Sequence, residues 1–358
     1  MKKILLLLLI AANQIAFAQT DSTKGTLTFS GYAEAYYAYD FNQPDNHELP
    51  FFFYNFKRHN EVNLNLGFIN ANYTAKNVRG NFGLMAGTWP QYNSSAEQPL
   101  LQHVWQANIG VKLCRNKNLW IDGGILPSHI GFESPVGRTC DALTRCIIGD
   151  NTPSYEGGIK LGYTSDNSKW FLAALVINGW QHITRPAGNN TPAFGAQVTF
   201  TPNNKLTLNY SNFIGNDKPD TVKQMRYYHN LYGIFHPTDK FSITVGFDFC
   251  MEQKANDSSG YNNLFSPVLL LKYQFTDRFS ITARGEYYSD KSGILIPTGT
   301  ENGFQTQSFS ANMDYVPFKN VLWRIELRTL KSKDDIFIKD GEAKNTDTFA
   351  TTSLSIAF

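Results

Sequence analysis

Long apolar runs are scarce in this chain of 358 residues. The one near the start, Ile4 to Ala12, falls short of the roughly 20 residues a spanning helix needs, and nothing later reaches that length. A bundle of membrane helices is therefore excluded. Charge of one sign is also lacking: 32 Lys and Arg stand against 30 Asp and Glu, a formal net charge of +2. Without a basic excess there is no reason to expect a nucleic-acid partner.

Catalytic signatures are absent as well. The seven histidines are scattered, and the sequence contains no HExxH, no GxSxG and no glycine loop of the phosphate-cradling kind. Ser128 and His129 near Glu133 form the one compact Ser/His/acid cluster. Adjacent residues on an extended strand point to opposite faces, which argues against a shared proton. No enzymatic activity and no cofactor are expected. The four cysteines offer no paired CxxC and no paired histidines to complete a metal site. Cys140 and Cys146, within CDALTRC, lie close enough in sequence to form a disulfide; Cys114 and Cys250 are too far apart to meet. A free pair is the equal alternative.

What the chain does have is a leader-like start. Lys2 and Lys3 precede the apolar run, and Ala16-Phe17-Ala18 places small residues where a signal peptidase reads. Residues 1–18 are expected to be a signal peptide and 19–358 one large domain, since no linker or change in composition divides them.

Period-two patterning dominates that domain. Leu354, Ile356 and Phe358 alternate with Ser353, Ser355 and Ala357; Phe309, Ala311, Met313 and Tyr315 alternate with Ser308, Ser310, Asn312 and Asp314. Phe241, Ile243, Val245, Phe247 and Phe249 oppose Ser242, Thr244 and Asp248. Short turn-rich breaks recur roughly every 35 to 50 residues, one long hairpin apart. Longer polar connections fall between them, around 42–58, 91–98, 131–153, 182–190, 216–223, 254–260, 291–304 and 334–345. Short turns on one side and long loops on the other are the asymmetry of a transmembrane antiparallel up-and-down β-barrel. About 16 strands are expected, with 14 or 18 also compatible. Aromatics at segment ends, among them Tyr36, Tyr37, Tyr39, Phe41, Trp120, Trp170, Trp180, Tyr287, Tyr288 and Trp323, fit interfacial girdles. A water-soluble sandwich would use the same alternation to face a shared core.

The segments GILPSHIGFES (124–134), Leu143-Thr144-Arg145 and NTPSYEGGIKLGY (151–163) resemble the OmpL-like outer-membrane β-barrel porin family. EVNLNLGFINANY (61–73) and Asn178-Gly179-Trp180 extend the resemblance over most of the chain. It implies a closed barrel in the outer membrane of a Gram-negative bacterium and a pore role. Cys146 departs from the family pattern, which tends to serine there.

On the barrel reading, the polar face of each strand lines a lumen, which places Glu34, Glu61, Asp122, Lys160, Asp248, Glu252, Lys272, Arg284, Glu286, Arg324, Glu326 and Arg328 inside. Charges facing lipid would cost Arg or Lys about 2–4 kcal/mol near the midplane. Arg324, Glu326 and Arg328 are expected to form a charge ladder with Arg284 and Glu286. The longest connection, 131–153, is expected to fold inward as a constriction carrying Glu133, Arg138, Asp141 and Arg145; a solvated surface loop is the equal alternative. The expected role is passive diffusion of small hydrophilic solutes. The alternative is a structural or adhesive surface protein with a plugged barrel. Expected partners are outer-membrane lipid and the barrel-assembly machinery, reached through a C-terminal strand ending at Phe358; a homo-oligomer is compatible with the sequence.

Overall fold

The computed structural model describes residues 24–255 and 257–358, so the leader expected at 1–18 lies outside the described residues. Eighteen strands follow in chain order: β1 (Thr26–Asp40), β2 (Val62–Thr74), β3 (Val78–Ala86), β4 (Val104–Lys112), β5 (Asn118–Pro127), β6 (Tyr155–Thr164), β7 (Trp170–Ile177), β8 (Ala193–Asn203) and β9 (Leu206–Asn216) form the first half. The second half comprises β10 (Met225–Thr238), β11 (Phe241–Lys254), β12 (Asp257–Thr276), β13 (Phe279–Asp290), β14 (Phe304–Phe318), β15 (Val321–Ser332), β16 (Phe337–Lys339), β17 (Glu342–Lys344) and β18 (Thr346–Ala357).

Sixteen of these close a barrel with every neighbour antiparallel, while β16 and β17 form a separate hairpin in the last long connection. Closure satisfies the backbone groups that an open edge would leave unpaired in hydrocarbon. The closing seam joins β18 to β1, from Tyr32↔Ala357 to Asp40↔Phe349. Phe358 completes it by accepting from Gly31 N at 2.7 Å and donating to Gly31 O at 3.0 Å. Its ring lies over Gly31, where a Cβ would stand 2.3 Å from it.

Alternation sets the two faces. On β15 Trp323, Ile325 and Leu327 are exposed outward, while Arg324, Glu326 and Arg328 are buried inward. Leu354, Ile356 and Phe358 are likewise exposed, and Ser353 and Ser355 buried. The outer band is thus apolar, as a bilayer requires. Several aromatics assigned to girdles point the other way: Tyr36 and Tyr288 are buried inside, Trp180 packs on Phe213 and Tyr228, and Trp120 lies beneath Arg79.

Seven connections at one end are short and seven at the other are long. The segment 254–260 is not one of the long ones, because β11 and β12 continue pairing as far as Lys254↔Asp257.

Candidate pore and constriction loop

Residues 128–154 leave the long-loop end of β5, enter the lumen and return to β6. The loop follows the inner wall. Its His129 carbonyl accepts from Ser211 Oγ at 2.7 Å, and its Gly131 N–H donates to Asn230 Oδ1 at 3.2 Å. At its deepest, Arg138 Nη2 donates to the carbonyl of Lys319 at 2.6 Å, in a short turn at the opposite end of the barrel.

Wall side chains supply the partners that this loop's irregular backbone lacks. Leu143 N donates to Asn312 Oδ1 (3.2 Å), Thr144 N to Glu326 Oε2 (2.6 Å) and Ile147 N to Glu286 Oε2 (2.7 Å). Loop carbonyls receive the guanidiniums: Gly137 O from Arg324 Nη1 (2.6 Å), Arg145 O from Arg328 Nη1 (2.7 Å) and Thr144 O from Arg284 Nη1. The wall charges also pair with one another, Arg284 with Glu326 at 2.6 Å and Arg324 with Asp314 at 2.7 Å. Beneath these bonds Ala142, Leu143, Ile147 and Ile148 join Leu264, Leu270 and Tyr288 in an apolar core inside the barrel.

The connection 41–61 folds inward above the loop. Phe52 packs on Phe304 with ring centroids 4.7 Å apart, Phe53 packs on Phe349, and Arg328 lies over the Phe53 ring at 4.4 Å. Asn55 Nδ2 donates to Asp150 Oδ1 at 2.6 Å, tying this connection to the inward loop. Its contribution is absent from the sequence reading, although the run PFFFYNF in an otherwise polar connection is the signal that marks it.

The two sides of the lumen therefore differ. Inward residues of β11 to β15 and β18 are almost all buried under the loop. The opposite wall is mixed: Asn72, Arg79, Asn81, Gln106, Lys160 and Gln197 stay partly open to solvent, whereas Leu66, Leu126 and the inward Ala173, Leu175 and Ile177 of β7 are buried. At the long-loop end lies a cavity of about 320 Å³, bordered by Tyr92, Asn151, Tyr155 and Arg226.

The expected site residues distribute accordingly. Arg284, Glu286, Arg324, Glu326 and Arg328 are brought together, but as anchors of the loop and not as a wet lining. Glu34 is wholly buried, accepting from Asn65 Nδ2 at 3.2 Å and Ser353 Oγ at 2.9 Å. Asp248 accepts from Tyr228 and Asn230, and Glu252 pairs with Arg226 at 2.6 Å. Asp122 and Lys160 face each other across β5 and β6, with Arg79 bound to Asp122 at 2.6 Å. Arg79 was hidden from sequence reasoning because it reads as part of a turn. Glu61 is outside the lining: it precedes β2 at the rim, where Arg58 Nε lies 2.9 Å from Oε1 and holds its carboxyl below the usual range.

Of the four loop charges, Lys272 reaches Asp141 at 3.3 Å, and Arg138 and Asp141 remain partly exposed. Glu133 and Arg145 turn inward instead. Glu133 accepts from Cys146 N at 2.8 Å, and burial pushes its carboxyl up; Arg145 donates to Ser154 Oγ at 3.1 Å. The disulfide is not formed. Cys140 and Cys146 are free thiols, the first donating to Ser134 O and the second capping a helical turn by accepting from Gly149 N.

Ser128 and His129 do not form a nucleophile–base pair. His129 Nδ1 lies 2.7 Å from Glu156 Oε1 and Nε2 lies 2.8 Å from Asn212 O, so both ring nitrogens are committed. Among the described residues no cluster of three or more His, Cys, Asp or Glu side chains is arranged for a metal.

An inward loop braced on one wall of a 16-stranded antiparallel barrel defines a porin-type architecture. The family model described as "Putative beta-barrel porin-2, OmpL-like" matches residues 26–358, and the chain belongs to this family. Among solved structures the chain is similar to an anion-selective porin from Comamonas acidovorans, with 9% identity, TM-score 0.62, and coverage of 94% of this chain and 100% of that one. It is also similar to OmpT of Vibrio cholerae in a trimer form, with 11% identity, TM-score 0.62, and coverage of 93% and 99%. A mutant of the Rh. blastica porin follows at 10% identity and TM-score 0.56, covering 93% and 100%. At such identities the likeness establishes the fold alone. No curated protein matches the sequence.

Proposed function

We propose that the protein resides in the outer membrane of a Gram-negative bacterium, where it lets small hydrophilic solutes diffuse passively past the partly solvated polar side chains of β2, β3, β4, β6 and β8. The observation that carries this reading is the asymmetry of the lumen: one wall is sealed by the loop 128–154, while some polar side chains of the other, Asn72, Arg79, Asn81, Gln106, Lys160 and Gln197, stay in contact with water. Arg138 and Asp141, of opposite sign, border the passage, so the lumen is of mixed charge. Passage requires no cofactor and no covalent chemistry. Residues 1–18 would direct export, the strand ending at Phe358 would be read by the assembly machinery, and the apolar outer band would meet lipid. A homo-oligomer agrees with the trimer form among the similar structures.

A plugged barrel serving a structural or adhesive role is favoured by one observation, the aromatic packing of 41–61 over the constriction loop. Liposome swelling with sugars of graded size separates the two readings. Entry of small sugars with a sharp size limit supports the channel, and liposomes impermeable to all of them support the plug. Deleting 136–144 should raise the single-channel current; an unchanged current would refute the role of this loop as the constriction.

A further inference from the structure

At the long-loop end of the closing seam, Asp40 of β1 and Asp347 of β18 bring two carboxylates together inside the wall. They are 3% and 2% exposed. Asp40 Oδ1 accepts from Asn42 N at 2.7 Å. Both side-chain oxygens of Asp347 are buried, and apart from the adjoining Asp40 carboxyl and the Thr348 backbone N–H no partner among the described residues reaches them. A buried carboxylate beside a second one is strongly disfavoured unless a proton or a cation neutralises the pair.

Among the described residues no protein cation pairs with either aspartate. Both aspartates border a cavity of about 360 Å³ between the connection 41–61 and the β16–β17 hairpin, together with Asn42, Asp45, Glu48 and Lys57. Lys57 Nζ is engaged elsewhere, by Leu49 O at 2.8 Å, Pro50 O at 3.1 Å and Glu48 at 3.6 Å. His59 accepts from Asp40 N through Nδ1 at 2.8 Å, which leaves no proton on that nitrogen, and burial holds its ring below the usual range. Asn42 spends its amide nitrogen on Thr346 O at 3.0 Å, which leaves its side-chain carbonyl oxygen free as a ligand.

We propose that Asp40 and Asp347 hold one divalent cation of the hard, oxygen-preferring kind, calcium or magnesium, in this cavity. Aspartate oxygens from β1 and β18, the Asn42 carbonyl oxygen and water in the cavity make an all-oxygen shell of the type these ions take. The ion ties the first strand to the last at the end of the seam opposite Phe358. It also fixes the connection 41–61 against the β16–β17 hairpin.

The test uses the full mature chain, refolded free of lipopolysaccharide in detergent, with calcium chloride and magnesium chloride as probes. Titration calorimetry is expected to give one site per chain, and millimolar calcium or magnesium is expected to raise the unfolding temperature by several degrees over EDTA. Asp347→Asn, which keeps the shape and removes the charge, should abolish the shift, and Asp40→Asn should weaken binding at least about tenfold. Both amides relieve the repulsion between the carboxylates, so the variants should fold and unfold at a temperature that is insensitive to the metal. If the wild-type chain shows neither binding heat nor a metal-dependent shift between mildly acidic and neutral pH, the pair shares a proton and the proposal is overturned. Retention of the full shift by Asp347→Asn overturns it equally.

Discussion

Arg284 on β13 and Glu326 on β15 meet at 2.6 Å across the intervening strand, both side chains wholly shielded from water. Glu326 uses its other oxygen to accept from Thr144 N, and Arg284 reaches Thr144 O, so one ion pair clasps one residue of the loop from both sides. Removing one member of a buried pair leaves the other charge uncompensated, typically at about 3–5 kcal/mol. Glu326→Ala should destabilise the folded barrel by about that amount, read as a lower temperature for the heat-induced gel shift. It should also make the single-channel current noisier as the loop loosens.

The contact between Gly31 and Phe358 leads to a second expectation. Deleting Phe358 removes two backbone hydrogen bonds at the end of the seam and should lower the yield of inserted protein, while the folded fraction keeps its normal conductance. In Gly31→Ala the new Cβ would stand 2.3 Å from the Phe358 ring, so the ring must move and the yield should fall in the same direction. Quantifying heat-modifiable protein in outer-membrane fractions checks both; a normal yield for the deletion would show that the terminal residue is dispensable.

Thiol chemistry checks the loop's interior. Cys140 and Cys146 are free and buried, and burial pushes the Cys140 thiol up to about 12, far from the reactive thiolate. Native protein should react with a maleimide only at the half-buried Cys114, and boiled protein at all four positions. Reducing agents should leave the mobility of the denatured chain unchanged.

His129 carries a pH dependence. Burial opposes its charge, but the Glu156 carboxylate outweighs that effect and raises the ring above its ordinary range, in keeping with an acceptor at each nitrogen. A raised folded-state value means that the stabilisation is fully present below the unfolded value of about 6.5 and is lost as pH rises through the folded one. The wild-type barrel should therefore lose stability across that window relative to His129→Gln, which lacks the titrating group. Parallel stability profiles for the two proteins would refute the assignment.

The barrel is legible in the sequence because period two survives whatever fills the interior. Trp323-Arg324-Ile325-Glu326-Leu327-Arg328 sorts into two faces without any knowledge of tertiary contacts. The same alternation says nothing about whether an inward arginine meets water or a loop carbonyl, which is why Arg324 and Arg328 read as lining. Glu61 was misplaced because β2 starts one residue later, at Val62. Tyr36, Trp120 and Tyr288 were misread because an aromatic near a strand end fits a membrane interface and a filled lumen equally well. At 254–260 the polar residues suggest a loop, yet pairing between β11 and β12 reaches Lys254↔Asp257 after a register shift at Gln253/Lys254.

The inward loop makes the barrel a wall with two kinds of inner surface. Along β11 to β15 and β18 a side chain is judged as in a globular interior, where a lost methyl or an unpaired charge is felt in stability. At the partly open positions of the opposite wall, such as Asn72, Asn81, Lys160 and Gln197, it is judged as on a wet surface, where the same substitution is absorbed by water and felt in conductance. A substitution series around the circumference should thus separate into stability mutants and transport mutants, with the division following the path of residues 128–154.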